Sequence, residues 1–226
     1  FKGAHDYTIH RIKIPLANLP DAFNGLKIVQ LSDIHAGSFP SAHPLHRAVD
    51  MVNKENADLL FFTGDLVNNV ADEVEPYVSV FGQMNAKLGK YSVFGNHDYG
   101  DYVSWETKAA KQQNLEQLKK AHAAMGWRLL WDEHVYLEKD GQKIALIGIQ
   151  NASGTKSFHT YGDLDKACKD CEAPVKLLLS HDPTFWDAKI RGFEDIDITF
   201  AGHTHGAQFG IELGKLRWSP AQYIYK

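Results

Sequence analysis

Short apolar runs alternate with stretches of helical periodicity along the first half of the chain. The apolar runs predict strands at residues 26–31, 59–62 and 91–94. Apolar side chains at helical spacing predict helices at residues 46–54, 74–86 and 109–125. This alternation is typical of an α/β or α+β fold in which helices flank a layered sheet.

The second half of the chain has the pattern of antiparallel strand pairs. Its apolar segments predict strands at residues 135–137, 144–149, 175–179 and 196–200, and a last hairpin at 208–211 and 215–218. The dipeptide Asp140-Gly141 is favoured in tight hairpin turns, which predicts that the strands on either side pair. Alternation over residues 7–14 predicts an additional edge strand that ends at Pro15.

Five of the predicted strands run directly into Asp, Asn or His, usually after a small residue. The sequences at these points are Ser32-Asp33-Ile34-His35, Thr63-Gly64-Asp65, Gly95-Asn96-His97-Asp98, Ser180-His181-Asp182 and Gly202-His203-Thr204-His205. One such residue alone is more often a cap or a turn residue. Because the carboxyl ends of strands meet at one edge of a sheet, five similar ends favour a common site.

The side chains at these ends are typical metal ligands. Two residues of the same extended segment, two positions apart, project to the same side, as in Asp33-x-His35 and His203-x-His205. Two carboxylates, one carboxamide and four imidazoles are available in total. That is too many ligands for one metal ion and about right for two.

Composition narrows the function classes and the domain organisation. A length of 226 residues with 44% apolar and 23% charged residues fits an ordinary globular protein, and without an internal repeat or linker we expect one domain over residues 1–226. The net charge is −4 and no basic block occurs, so nucleic acid is not an expected partner. Cys168 and Cys171 are expected to be two free surface thiols, with a local disulfide or a minor metal site as alternatives.

Neither end of the chain looks like a natural boundary, and truncation at both ends stays open. The chain begins with Phe1 instead of Met, and it stops at Lys226, soon after the last of the five motifs. No apolar stretch reaches the roughly 20 residues that span a bilayer. A membrane anchor or export signal upstream of Phe1 therefore stays open as well, and with it the localisation.

The five motifs, in order, resemble those of the calcineurin-like metallophosphoesterases. The pattern of that family is D-x-H, then G-D-x-x-[D/N], G-N-H-[D/E], a lone His and G-H-x-H, and the match extends from about residue 26 to 206. Asn68 stands where many relatives have Asp. The resemblance implies an αββα fold, a layered β-sandwich flanked by helices. It is nearest to a bacterial branch whose members often carry an N-terminal membrane segment or export signal.

The resemblance also implies two divalent metal ions and assigns their ligands. One ion is expected to bind Asp33, His35, Asp65 and His205. The other ion is expected to bind Asp65, Asn96, His181 and His203. Asp65 would then be the shared carboxylate, which in such sites holds two ions roughly 3.5–4 Å apart. Mixed nitrogen and oxygen ligands suit Mn²⁺, Fe or Zn²⁺ better than Mg²⁺.

Two such ions would lower the pKa of a bridging water, so the expected reaction is hydrolysis of a phosphodiester, pyrophosphate or phosphomonoester by a metal-bridging hydroxide. His97 resembles the catalytic histidine of the family, which protonates the leaving oxygen or stabilises the phosphoryl group. Asp98 is expected to orient that imidazole and to favour its charged form. A nuclease of the same fold and a non-catalytic binding or scaffold module are the alternatives.

Aromatic residues after the motifs are candidates for substrate contacts. Tyr99, Phe158 and His159 are expected to bind the substrate, although most aromatic residues of a domain serve in its core. Some members of the bacterial branch act on a UDP-linked diacyl sugar. A small-molecule or lipid-linked phosphate ester is therefore the expected substrate, in preference to a phosphoprotein. The sequence leaves the oligomeric state open.

Overall fold

The first sheet is parallel and four-stranded in the computed structural model, which describes residues 6–156, 158–193, 195–204, 211–213 and 216–218. Its strands, in spatial order, are β1 (Ile28–Leu31), β2 (Leu59–Phe62), β3 (Gly89–Ser92) and β4 (Arg128–Leu129). The helices that connect these strands are α1 (His43–Lys54), α2 (Val78–Phe81) and α3 (Lys108–Ala124). Helix α3 begins where the Thr107 hydroxyl accepts a hydrogen bond from the Ala110 amide, a common N-cap.

The second sheet is mixed. Its strands, in spatial order, are β5 (Glu133–Lys139), β6 (Gln142–Gly148), β7 (Lys176–Leu179) and β8 (Ile198–Phe200). Strands β5 and β6 form the expected hairpin around Asp140-Gly141. The antiparallel pairing predicted for the other strands of this sheet was wrong, because β6, β7 and β8 run parallel to one another. The short helices α4 (Leu164–Cys168) and α5 (Thr184–Ala188) belong to this half, and β9 (Ile211–Leu213) pairs antiparallel with β10 (Leu216–Trp218).

Successive side chains of a strand point to opposite faces of its sheet, and this alternation explains the layers of the fold. Leu59 and Phe61 pack in a core that also contains Leu146 and Leu177 of the second sheet. The intervening residues Leu60 and Phe62 pack in a different core, with α1 and α3. On the second sheet, Ile147 and Leu178 pack with residues of α4 and α5. Two sheets therefore lie face to face with helices on both outer surfaces, which confirms the predicted αββα fold. Each fully buried side chain of this size stabilises the fold by about 1.5–3 kcal/mol.

Two of the sequence predictions were wrong in detail. Residues 7–14 form no strand; Arg11 instead pairs with Glu55 at the end of α1, with 2.6 Å between Nη2 and Oε1, and Ile12 is 82% exposed. The helix predicted at residues 74–86 is much shorter, because a 3-10 turn containing Pro76 precedes α2 and Gly82 follows it. Of the last predicted hairpin, residues 208–210 and 215 lie outside the described residues.

The two cysteines are free thiols, as expected, but only one of them is near the surface. Cys168 is partly exposed at the end of α4, and Cys171 is buried in the core beneath it. Burial raises the pKa of the Cys168 thiol to about 11, with the neighbouring Cys171 acting in the same direction.

Within the described part of the chain, no helix has the length and apolar character needed to cross a membrane.

Candidate metal centre

The loops that carry the candidate ligands have an unusual backbone. Asp33, His35, Asp65 and His203 all adopt left-handed conformations, with φ between 48° and 68°. Non-glycine residues rarely take these angles, and local strain of this kind concentrates at functional sites. Each loop turns sharply just after its strand, which directs the ligand side chains to the edge where β1, β2 and β8 end.

Two glycines allow the neighbouring loops to approach each other closely. A Cβ atom on Gly64 would lie 2.7 Å from Nδ1 of His181, and one on Gly95 would lie 2.7 Å from the amide nitrogen of Asp65. Real Cβ atoms essentially never come so near to other atoms. The glycines that precede Asp65 and Asn96 in the motifs are therefore required by packing around the site.

Nε2 of His181 lies at the centre of one group of candidate ligands. Nδ1 of this fully buried ring is hydrogen-bonded to the Thr63 carbonyl oxygen at 2.7 Å, which fixes the hydrogen on Nδ1 and turns Nε2 towards the site. Nε2 lies 3.2 Å from Oδ2 of Asp65, 3.1 Å from Oδ1 of Asn96 and 3.2 Å from Nδ1 of His203. All four predicted ligands of the second ion therefore meet at one point.

The chemistry of this group fits a cation. The Asp65 and Asn96 oxygens and the imidazole nitrogens all present lone pairs, which repel one another unless a positive charge lies between them. Oδ2 of Asp65 is buried and faces two ring nitrogens, Nε2 of His181 at 3.2 Å and Nε2 of His35 at 3.7 Å.

Asp65 and His181 shift each other's pKa in opposite directions, because the charged forms of the two groups attract each other. Burial acts to raise the pKa of Asp65, but the neighbouring His181 and His97 outweigh it and lower the pKa to about 2. Burial acts to lower the pKa of His181, but the Asp65 carboxylate outweighs it and raises the pKa to about 9. An anion and a cation are thus the favoured forms of this buried pair.

A second group of candidate ligands shares Asp65. Ligand atoms of His35, Asp65 and His97 lie within 4.8 Å of one another, and Nε2 of His35 is 3.7 Å from Oδ2 of Asp65. Asp33 lies at the same edge, where its carboxylate accepts hydrogen bonds of 2.9 and 3.1 Å from the His203 amide. His205, the fourth ligand predicted for this ion, lies outside the described residues. The structure thus brings His97 next to a ligand group to which the sequence did not assign it.

His97 is held on three sides. Its amide donates to Oδ1 of Asp65 at 2.9 Å, and Nδ1 of its ring is hydrogen-bonded to the Asn68 carbonyl oxygen at 2.6 Å. The ring centroid lies 4.6 Å from that of Tyr102 and 4.9 Å from that of His35. Because Nδ1 donates to Asn68, Nε2 is the ring atom that can exchange a proton with a bound molecule.

The expected role of Asp98 as the group that orients His97 was wrong. Its carboxylate accepts hydrogen bonds from the backbone amides of Asp65, Leu66 and Gly95, each at 2.8 Å, and from Val67 at 3.3 Å. Burial and the nearby Asp65 charge raise the pKa of Asp98 to about 7, although the amides act in the opposite direction. Asp98 therefore organises the loop that carries Asp65, and the backbone carbonyl of Asn68 orients His97.

The three predicted substrate residues lie in different environments. Tyr99 is only 3% exposed, stacks on Tyr161 with 4.0 Å between centroids, and accepts a hydrogen bond from the Asn151 amide, so its predicted substrate contact was wrong. Phe158 packs edge-on against the candidate ligand His203, with 4.6 Å between centroids. His159 is exposed, and its carbonyl oxygen accepts a hydrogen bond from the Asn151 side chain. Only Phe158 of the three touches a candidate ligand.

Glu73 supports the loop after Asp65 and was not among the site residues predicted from the sequence. Its carboxylate accepts hydrogen bonds from the amides of Asn68 at 2.5 Å, Asn69 at 3.0 Å and Val70 at 3.2 Å. Glu73 lies three residues after Val70, and its carboxylate reaches back to the Val70 amide as the glutamate of a capping box does. Because Val70 has no hydroxyl group, the Ser/Thr-x-x-Glu signature is absent, and the sequence gives no signal for this role.

Comparison with known proteins agrees with this geometry. The family model of the calcineurin-like phosphoesterases matches residues 26–207. A Danio rerio protein named transmembrane protein with metallophosphoesterase domain is 32% identical over 203 residues, which cover 87% of this chain and 44% of that protein. The metallophosphoesterase YkuE of Bacillus subtilis (strain 168) is 28% identical over 209 residues, which cover 90% of this chain and 66% of YkuE.

A solved structure of similar extent is that of the phosphopantetheinyl hydrolase PptH from Mycobacterium tuberculosis. It is 12% identical, with a TM-score of 0.48, and the alignment covers 85% of this chain and 87% of PptH. The chain spans about half the length of the vertebrate relatives, 44% in Danio rerio and 46% in Bos taurus. The family model matches most of the chain, and the fold gathers the motif residues at one edge. The chain therefore belongs to the calcineurin-like phosphoesterase family of metal-dependent phosphoesterases.

Proposed function

We propose that the chain hydrolyses a phosphate ester with two divalent metal ions that share Asp65. The convergence of three ligand atoms on Nε2 of His181, at 3.1–3.2 Å, carries the proposal for one ion. The group of His35 and Asp65, with Asp33 at the same edge, supports the other. When bound, the ions would activate a water as the nucleophile and neutralise charge on the phosphate. Mn²⁺, Fe and Zn²⁺ all suit the mixed nitrogen and oxygen ligands.

In this proposal His97 moves the proton that the leaving group needs. Nδ1 keeps its hydrogen, which it donates to the Asn68 carbonyl at 2.6 Å. The imidazolium form of His97 would therefore give the proton on Nε2 to the leaving oxygen of the ester and become a neutral ring. Phe158 lies beside His203 and forms an apolar wall for the leaving group. The substrate class is a phosphodiester, pyrophosphate or phosphomonoester, carried on a small molecule or on a lipid.

We extend the proposal to a substrate that is attached to a lipid and lies in a membrane. Vertebrate relatives that match most of this chain are named transmembrane proteins with a metallophosphoesterase domain, which supports a membrane location for the substrate. The test is a screen of the Mn²⁺-loaded protein against phosphomonoesters, phosphodiesters and nucleotide-sugar lipids. Turnover of water-soluble esters alone would remove the lipid from the proposal.

The net charge of −4 disfavours the nuclease alternative, for which a gel assay on DNA is the test.

The decisive experiment measures hydrolysis of bis-p-nitrophenyl phosphate with Mn²⁺, and with EDTA in place of the metal. Asp65→Asn should abolish turnover, because an amide cannot replace a shared carboxylate. The matched control is Asp140→Asn, the same chemical change in the β5–β6 turn, where asparagine before glycine is equally favourable. Full activity of Asp65→Asn, or activity unaffected by EDTA, would overturn the proposal of two metal ions that share Asp65. Absence of hydrolysis by the Mn²⁺-loaded unaltered protein would instead leave a binding or scaffold module.

A further inference from the structure

The hydroxyl group of Tyr102 lies within hydrogen-bond distance of a candidate metal ligand. Nδ2 of Asn96 donates to this hydroxyl oxygen at 2.8 Å, while Oδ1 of the same carboxamide lies 3.1 Å from Nε2 of His181. The side chain of Tyr102 is 49% exposed, and that of Asn96 is buried. The tyrosine thus connects the buried ligand group to the open surface of the site.

A carboxamide is a useful metal ligand in only one of its two orientations. If Oδ1 faces a cation, Nδ2 must point away from it, and in a buried position its N–H groups need an acceptor from the protein. The Tyr102 hydroxyl oxygen is the acceptor that the described residues provide. Removing it would leave a buried N–H group without a partner and would allow the carboxamide to rotate.

The ring of Tyr102 also contacts the candidate catalytic histidine. Its centroid lies 4.6 Å from that of His97, with 42° between the two planes. The hydroxyl oxygen receives the hydrogen bond from Asn96, and no acceptor for its own hydrogen is found in the described part of the chain. That hydrogen is therefore available to a molecule bound beside Asn96 and His97.

We propose that Tyr102 is a positioning residue that holds Oδ1 of Asn96 towards the metal ion, and that its hydroxyl donates a hydrogen bond to an oxygen of the bound phosphate. This inference rests on the proposed function, since it assigns Asn96 to a metal ion and a phosphate to the adjacent space. Tyr102 lies outside the five sequence motifs, three residues after Tyr99. Its role follows from the contacts with Asn96 and His97 alone.

Tyr102→Phe is the test, because it removes the hydroxyl and keeps the ring that packs against His97. The matched control is Tyr161→Phe, since the neighbouring Tyr161 is 39% exposed and donates its hydroxyl hydrogen to Asp101 at 2.7 Å. Both variants and the unaltered protein are titrated with Mn²⁺ in a calorimeter without substrate. Inhibition of bis-p-nitrophenyl phosphate hydrolysis by inorganic phosphate is then measured on the Mn²⁺-loaded proteins.

We expect Tyr102→Phe to weaken binding of one Mn²⁺ about 10-fold or more, the usual effect of losing a partner that orients a ligand. We also expect a higher inhibition constant for phosphate, while Tyr161→Phe changes neither quantity. Wild-type values of both quantities in Tyr102→Phe would overturn this inference and leave the proposed function intact. If the unaltered protein bound no Mn²⁺ at all, the proposed function would fail and the inference with it. Binding of two Mn²⁺ ions without any hydrolysis would defeat only the enzymatic proposal, because the metal titration still tests Tyr102.

Discussion

Nε2 of His181 and Oδ2 of Asp65 lie 3.2 Å apart, although Asp65 follows a strand of the first sheet and His181 follows a strand of the second. His203, at the end of the second sheet, and Asn96, at the end of the first, lie in the same group. A metal ion bound here therefore has ligands from both halves of the sandwich.

Metal binding should stabilise the fold, because these ligands are brought together only in the folded chain. At a free Mn²⁺ concentration about 100 times its Kd, the gain is about 2.7 kcal/mol, which raises the unfolding midpoint of a domain of this size by about 5–10 °C. Differential scanning calorimetry with Mn²⁺ and with EDTA measures the shift. Asp65→Asn should show none of it, and an equal shift in that variant would mean that Mn²⁺ binds elsewhere.

His97→Asn should reduce kcat by about 100- to 10,000-fold, the usual contribution of a general acid. The loss should be smaller for p-nitrophenyl esters than for alkyl esters, because nitrophenolate leaves readily without a proton. Mn²⁺ stoichiometry from calorimetry should stay at the value of the unaltered protein. Because His97 lies within 4.8 Å of His35 and Asp65, loss of one Mn²⁺ would instead identify it as a ligand.

Asp98→Asn should unfold at lower urea concentration than the unaltered protein, even without metal. The carboxylate accepts four backbone hydrogen bonds in a fully buried position, and the amide nitrogen of asparagine would face amide donors. We expect a loss of about 2–4 kcal/mol in the free energy of unfolding. The Asp140→Asn variant is the control. Unchanged stability combined with a large loss of kcat would return Asp98 to the catalytic role that the sequence suggested.

His122 should make stability depend on pH. Burial lowers the pKa of this histidine to about 3, and its ring lies among Phe62, Phe94 and Trp127 with Nδ1 2.8 Å from the Ser92 hydroxyl. The unfolded chain takes up the proton below a pH of about 6.5, whereas the folded chain does not until the pH is near 3. The stability that the neutral ring contributes is therefore complete above about pH 6.5 and is lost as the pH falls.

The loss amounts to about 1.4 kcal/mol for each pH unit below that point. His122→Gln removes the titrating group, so urea unfolding from pH 7 to 4.5 should show a less steep decrease in this variant. The difference between the two proteins isolates His122 from the carboxylates that titrate in the same range. Parallel curves for the two proteins would show that the ring is protonated in the folded state.

The strand positions and the layered fold could be predicted because apolar periodicity reports burial directly. The run at residues 59–62 coincides with β2, and the Asp140-Gly141 turn is where the hairpin bends. The edge strand at residues 7–14 could not be excluded in this way, since alternation does not tell whether a partner strand is available. Arg11 instead binds Glu55 at the end of α1, a contact between residues far apart in the sequence that only the structure shows.

The candidate site was predicted residue by residue where a motif defines it, as for Asp65, Asn96 and His181. The sequence could not predict which group is the hydrogen-bond partner of each site residue. A backbone carbonyl, that of Asn68, orients His97, and backbone groups carry no sequence signal of their own. The role of Asp98 likewise depends on which loops meet in space, and that of Tyr102 depends on how its own segment turns back towards Asn96.

The hydrogen bonds of Asp98 also limit how the site can change. This one carboxylate accepts hydrogen bonds from the turn at Asp65 and from the turn at Gly95, so moving the loops that present Asp65 and Asn96 apart would break buried hydrogen bonds. Admitting a cation of larger radius between those two loops would therefore cost stability. We expect adaptation of such a protein to a different metal to begin instead at the loops of His181 and His203 on the opposite sheet, which donate no hydrogen bond to Asp98 among the described residues.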